Sequence, residues 1–184
     1  GLRVPELVDL ADLPDPSQRW ITRTFAGGAS ANRRDVFLAL GGFHEYLFHW
    51  GEEPDYCLRL LQSGRVVRVA NSDRLHHYPV QAGRHTRARN VYINRNRMLA
   101  HWYNAPSLLL APLLARESFV AMKEAVTTRN TVPLESCWRG WCGCVHEWRE
   151  RHAVDPAVFS LFMELRKKKL IPLAEVEGRL PELV

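Results

Sequence analysis

The sequence predicts an α/β region over residues 1–104 followed by a helical extension over residues 105–184. Two observations carry this. Up to about residue 104, short stretches of strand character alternate with short helical ones between Gly and Pro punctuation, and beyond Pro106 each apolar stretch repeats at helical spacing. A length of 184 residues with 46% hydrophobic content suits one core with a helical appendage better than two full domains.

Taken in order, residues 1–19 are rich in Pro and Asp and read as an irregular lead-in. Trp20 to Phe25 reads as a strand that ends at Ala26-Gly27-Gly28. Asn32 to Leu40 carries Val36, Phe37 and Leu40 at helical spacing, and Gly41-Gly42 supplies the left-handed stop that a helix end prefers. Pro54 fits the first turn of a second helix, whose apolar face is Cys57, Leu58, Leu60 and Leu61 and whose end is Gly64. Val66 to Val69 reads as a strand, and Arg87 to Tyr103 as a helix dense in Arg at its start. Three further helices are predicted over Ser107–Thr127, Leu134–Arg151 and Asp155–Lys169. Asp155 is the N-cap of the last, with Pro156 at its first position.

Charge and composition narrow the functional classes. The net charge of +5 favours anionic partners: phosphates, nucleic acid or an acidic membrane surface. The longest strongly apolar run, Leu108 to Ala115, falls well short of the roughly 20 residues that span a bilayer, so no transmembrane helix is expected. Four cysteines without a regular spacing, and no cationic-plus-apolar leader at the start, suggest a reducing, cytoplasmic setting.

The densest chemistry lies at Glu52, Glu53 and Asp55, three carboxylates within four residues at the start of the second helix. Acids held close together serve proton transfer and metal binding. The helix dipole favours the ionised form there, so a base in this position is charged at neutral pH. The same dipole equally favours a merely solvated acidic first turn.

The neighbouring motifs turn this cluster into a resemblance. Arg33-Arg34-Asp35-Val36-Phe37, Gly41-Gly42-Phe43-His44-Glu45, Glu52-Glu53-Pro54-Asp55-Tyr56-Cys57-Leu58-Arg59-Leu60, Gly64, His76-His77 and Tyr92-Ile93-Asn94-Arg95-Asn96-Arg97 stand in this order with compatible gaps. Together they resemble the C-terminal half of family two glycosyltransferases, within them the bacterial rhamnosyltransferase-like branch, over roughly residues 25 to 100. The resemblance implies the acceptor and catalytic-base half of a GT-A fold and inverting transfer from a nucleotide-sugar donor to an acceptor hydroxyl, which in such enzymes is often lipid-linked. It puts the general base in the Glu52-Glu53 pair, with Glu53 the first choice. It puts a metal or diphosphate ligand at His76 or His77, and Mg or Mn as the divalent metal. Arg59, Arg84, Arg87, Arg95 and Arg97 are the cations available to the diphosphate.

Departures from the family pattern are informative. Glu53 stands where the base motif usually has Asp, and His44 where the Gly-Gly-Phe motif usually continues with Asp. The sequence contains no Asp-x-Asp, the metal and nucleotide motif of the N-terminal half of such enzymes. The chain is therefore expected to be the second half of a larger enzyme, partnered by an upstream GT-A half and inactive alone.

Other readings compete. A basic nucleic-acid-binding module would use the Arg-rich helix 84–103 with Tyr92, Trp102 and Tyr103 as stacking surfaces. The helical extension could lie on a membrane through Ser107 to Ala115 and the basic run Arg166 to Lys169, at the cytoplasmic face. Cys137, Cys142, Cys144 and His146 invite a zinc reading, but on a helix Cys142 and Cys144 point about 200° apart. Cys137, Trp141, Cys144 and Trp148 fit an apolar packing stripe instead.

Overall fold

A computed structural model describes residues 13–69 and 86–183. The fold is mixed: six α-helices and a small three-stranded antiparallel sheet are formed among the described residues. They group into two compact units that interleave in sequence. Residues 13–42, 53–69 and 154–183 belong to the first, residues 43–52 and 86–153 to the second. The compositional change at residue 105 coincides with the end of a helix, whereas this division follows long-range packing.

In the first unit the sheet is ordered β2–β1–β3, with β1 (Trp20–Thr22) central between β2 (Val67–Arg68) and β3 (Ile171–Pro172). The registers pair Ile21 with Arg68 on one side and with Ile171 on the other. The first two strands are legible in the sequence. The third is not, because Ile171–Pro172 lacks the β-branched run that marks residues 66–69 and acquires strand geometry by pairing with β1. Helix α1 (Arg34–Ala39) ends at Gly41 and Gly42, both in the left-handed region (φ 77° and 67°), as the paired glycines predict. Helix α2 begins at Glu52 and runs to Gln62. Its Tyr56 and Leu60 pack with Val36, and Phe25, Phe37, Leu40 and Val67 close around them. Gly64 follows α2 at φ 74°, and a Cβ there would stand 2.5 Å from the Pro181 carbonyl oxygen, so only glycine fits. Helix α6 (Pro156–Lys168) starts as predicted: Asp155 Oδ1 accepts the Ala157 N–H at 2.7 Å.

The second unit is a helical bundle of α3 (Thr86–Asn104), α4 (Ser107–Thr128) and α5 (Val132–His146), with a short 3₁₀ turn at Glu45–Leu47. Its core is Leu47, Met98, Leu99, Tyr103, Leu114 and Cys144. Glycines let α3 and α5 approach: a Cβ on Gly140 would lie 2.6 Å from Met98 Sδ, and one on Gly143 would lie 3.0 Å from Leu99 Cδ2. Helix α5 stops at His146, short of the predicted Arg151, because Arg151 turns back to donate to the carbonyls of Trp102 and Ala105 at the end of α3. The predicted stripe of Cys137, Trp141, Cys144 and Trp148 is buried at Cys144 but exposed at both tryptophans. Among the described residues no helix is long and apolar enough to cross a membrane.

Candidate functional site

The three acids of the 52–55 cluster have three different surroundings. Asp55 is fully buried and accepts from Arg59 Nη2 at 2.9 Å and from Arg59 Nε at 3.2 Å, one helical turn on. The remaining donors of that guanidinium go to the carbonyls of Leu40 (2.5 Å) and Gly42 (2.6 Å). Arg59 therefore satisfies the orphan carbonyls at the end of α1, and Asp55 holds it in place. Both residues, read from the sequence as site groups, are committed to joining α1 and α2.

Glu53 is half-buried in the first turn of α2, and its Oε1 lies 3.1 Å from the place a Cβ on Gly27 would occupy. Gly27 sits in the turn closed by the Ala29 N–H on the Ala26 carbonyl (2.9 Å). The missing side chain at 27 is what lets the carboxylate lie over the turn. Cys57 is one helical turn farther along α2. Burial pushes its thiol far above the ordinary range, and the negative charge of Glu53 adds to the shift while Arg23 opposes it. Cys57 is thus a protonated, inert thiol and not a nucleophile.

Glu52 belongs to the second unit. Its Oε1 lies 4.0 Å from His49 Nδ1, and its Oε2 is buried without a hydrogen-bond partner. Two donors of the second unit are also buried without a hydrogen-bond partner, the Trp50 indole Nε1 and Arg89 Nε on α3, and the Arg89 guanidinium stands 4.8 Å from the Trp50 ring centroid. The backbone here is held in an uncommon shape, with φ values of 59° at Phe48, 68° at Trp50 and 104° at Gly51. Asn96 enforces it: the two N–H of its side-chain amide, 1% exposed, are shared among the carbonyls of Leu47 (2.8 Å), His49 (2.9 Å) and Trp50 (2.5 Å). Sequence reasoning singled out Glu52 but missed His49, Trp50, Arg89 and the clamp on Asn96. Only the Trp50-Gly51 step hints at it, since Gly before an acidic helix start marks an unusual turn.

The remaining cations are placed as follows. Arg95 donates to the carbonyls of Tyr46 (2.6 Å) and Leu47 (3.1 Å) and lies against the rings of Tyr46 and Tyr92, and burial lowers its pKa. Arg97 bonds Asn94 Oδ1 at 3.1 Å and pairs with Glu117 at 3.4 Å. Arg87 is largely exposed and pairs with Glu135 at 2.6 Å. Arg84, His76 and His77 lie outside the described residues. Among the described residues no group of His, Cys, Asp and Glu is arranged to hold a metal ion, and Asp55 is already paired with Arg59.

No protein-family model, no curated protein and no solved structure matches this chain.

Proposed function

We propose that the chain carries the acceptor and catalytic-base portion of an inverting glycosyltransferase of the GT-A type, with Glu53 as the base. The observation that supports this most is the position of the Glu53 carboxylate over Gly27, in the first turn of α2. Asp55 is spent on Arg59, so Glu53 is the member of its turn whose carboxylate is directed to a glycine turn rather than into the α1–α2 joint. The helix N-terminus favours its ionised form.

In this reading Glu53 accepts the proton of the acceptor hydroxyl as that oxygen bonds to the anomeric carbon. The nucleoside diphosphate leaves from the opposite face with the electron pair of the broken bond, and configuration inverts. Donor binding is assigned to a separate segment, since the Asp-x-Asp that the resemblance calls for is absent from this sequence. Glu53→Gln keeps size and removes the base. In protein supplied with the donor-binding segment it should lower transfer by about 10² to 10⁴-fold while donor affinity, measured by titration calorimetry, is unchanged. Transfer by Glu53→Gln at the wild-type rate would end the assignment.

A further inference from the structure

Helix α3 begins against the preference of its own dipole. The first turn of a helix favours acids, because its unpaired N–H groups give that end a partial positive charge. The first turn of α3 contains no acid and carries Arg87 and Arg89 instead. Arg87 is paired with Glu135 at 2.6 Å. Arg89 has no such partner: among the described residues its guanidinium meets the Trp50 ring, 4.8 Å from the centroid, and no carboxylate. Three of the arginines read from the sequence as anion ligands are committed elsewhere, Arg59 to Asp55, Arg97 to Glu117 and Arg95 to two backbone carbonyls.

Both side chains at this contact hold an unused donor. Arg89 is half-buried, and its Nε is buried without a hydrogen-bond partner; the indole Nε1 of Trp50 is in the same condition. A buried donor left without an acceptor is costly, most of all on a charged group. Trp50 is also held where a tryptophan rarely sits, at φ 68°, with its carbonyl among those that share the Asn96 amide. Strain enforced by the surrounding structure gathers at sites that hold ligands. The partner both donors call for is an acceptor with negative charge. A carboxylate offers two oxygens in one plane. A phosphate offers several around one centre, enough for donors on two stacked side chains and for the free N–H groups of a helix start.

We infer that Arg89 and Trp50, at the start of α3, form a binding site for a phosphate group, free or carried by a larger ligand. The guanidinium supplies the charge and a fork of donors, the Trp50 ring fixes its plane, and the indole N–H adds a donor from a second segment. Seating the anion also relieves the conflict between the arginines and the positive end of the helix. Both residues belong to the second unit, and the site does not depend on the catalytic reading of Glu53.

Titration of the full chain with inorganic phosphate at constant ionic strength, followed by calorimetry and by the indole N–H resonances of isotope-labelled protein, tests the inference. The Trp50 resonance, identified by its loss in Trp50→Phe, should shift saturably. Arg89→Gln should weaken binding by roughly tenfold or more, since charge-assisted hydrogen bonds are lost. Trp50→Phe keeps a ring beneath the guanidinium and should weaken it by a smaller factor. Lys123→Gln, which removes an exposed cation of α4, should leave the affinity unchanged, and circular dichroism should show the variants folded. Methyl phosphate binding as tightly as inorganic phosphate marks a site open to a carried phosphate, and binding of inorganic phosphate alone marks one closed around the free anion; either supports the inference. No saturable shift of the Trp50 resonance in the wild type, undiminished binding by folded Arg89→Gln, or acetate binding as tightly as phosphate overturns it. The first of these needs no variant, so the outcome stands even where Arg89→Gln fails to fold.

Discussion

Glu53 and Gly27 are coupled by shape: the carboxylate Oε1 occupies space that any side chain at 27 would contest, at 3.1 Å from the ideal Cβ position. Gly28, its neighbour, has nothing within 4 Å of its own Cβ position. Gly27→Ala should therefore push Glu53 aside by a few tenths of an ångström and, with Glu53 as the proposed base, lower transfer by about tenfold in protein supplied with the donor-binding segment, since small displacements at a reacting group are costly. Gly28→Ala should leave the rate unchanged. Stability should move by less than about 0.5 kcal/mol in either, as for most substitutions near a surface turn. Parallel rate assays and urea titrations of the two variants make the comparison.

Asp55 and Arg59 call for the opposite test. Asp55→Ala would leave the guanidinium of Arg59, itself mostly buried, without its charge partner, and should cost about 3 kcal/mol of unfolding free energy. Arg59→Lys keeps the charge but loses the fork that spans Asp55, Leu40 and Gly42, and should also lower the urea midpoint. A midpoint unchanged in both variants would show that the pair does not join α1 to α2.

Glu117 gives the second unit a pH dependence of known sign. His101, whose Nε2 stands 3.8 Å from the carboxylate, is the largest influence lowering its pKa below the ordinary value of 4.5, and Arg97 and Arg116 lower it further against the effect of burial. With the folded value depressed, the unfolded chain binds more protons in the window between the two. The stabilisation is present in full above the ordinary carboxyl value and is lost as pH falls through the lowered one. Between pH 6 and pH 3 the urea midpoint of the wild type should fall more steeply than that of Glu117→Gln, which has no carboxylate to titrate.

The four cysteines should react in a set order. Cys142 is exposed, while Cys57 and Cys144 are buried, the latter thiol pushed up to about 12 by burial. Iodoacetamide at neutral pH should label Cys142 first and should reach Cys57 and Cys144 only after unfolding, as read by peptide mass spectrometry. Early labelling of Cys57 would contradict its place in the core of the first unit.

The sequence by itself determined the elements whose signals are local. Apolar spacing placed α2, α3 and α4 nearly to the residue, Gly41-Gly42 ended α1, and Asp155-Pro156 started α6, because capping and left-handed turns depend on one or two adjacent residues. The acid cluster at 52–55 was equally plain. The tertiary structure alone decided how those acids differ: Asp55 is bound to Arg59, Glu53 rests over a glycine from a distant turn, and Glu52 sits beside a loop clamped by Asn96. It also decided that β3 returns to the first sheet and that Trp141 and Trp148 face outward while Cys144 packs inside. Periodicity identifies the rows of a helix, but which row is covered, and what surroundings each carboxylate meets, depends on residues far away in the chain.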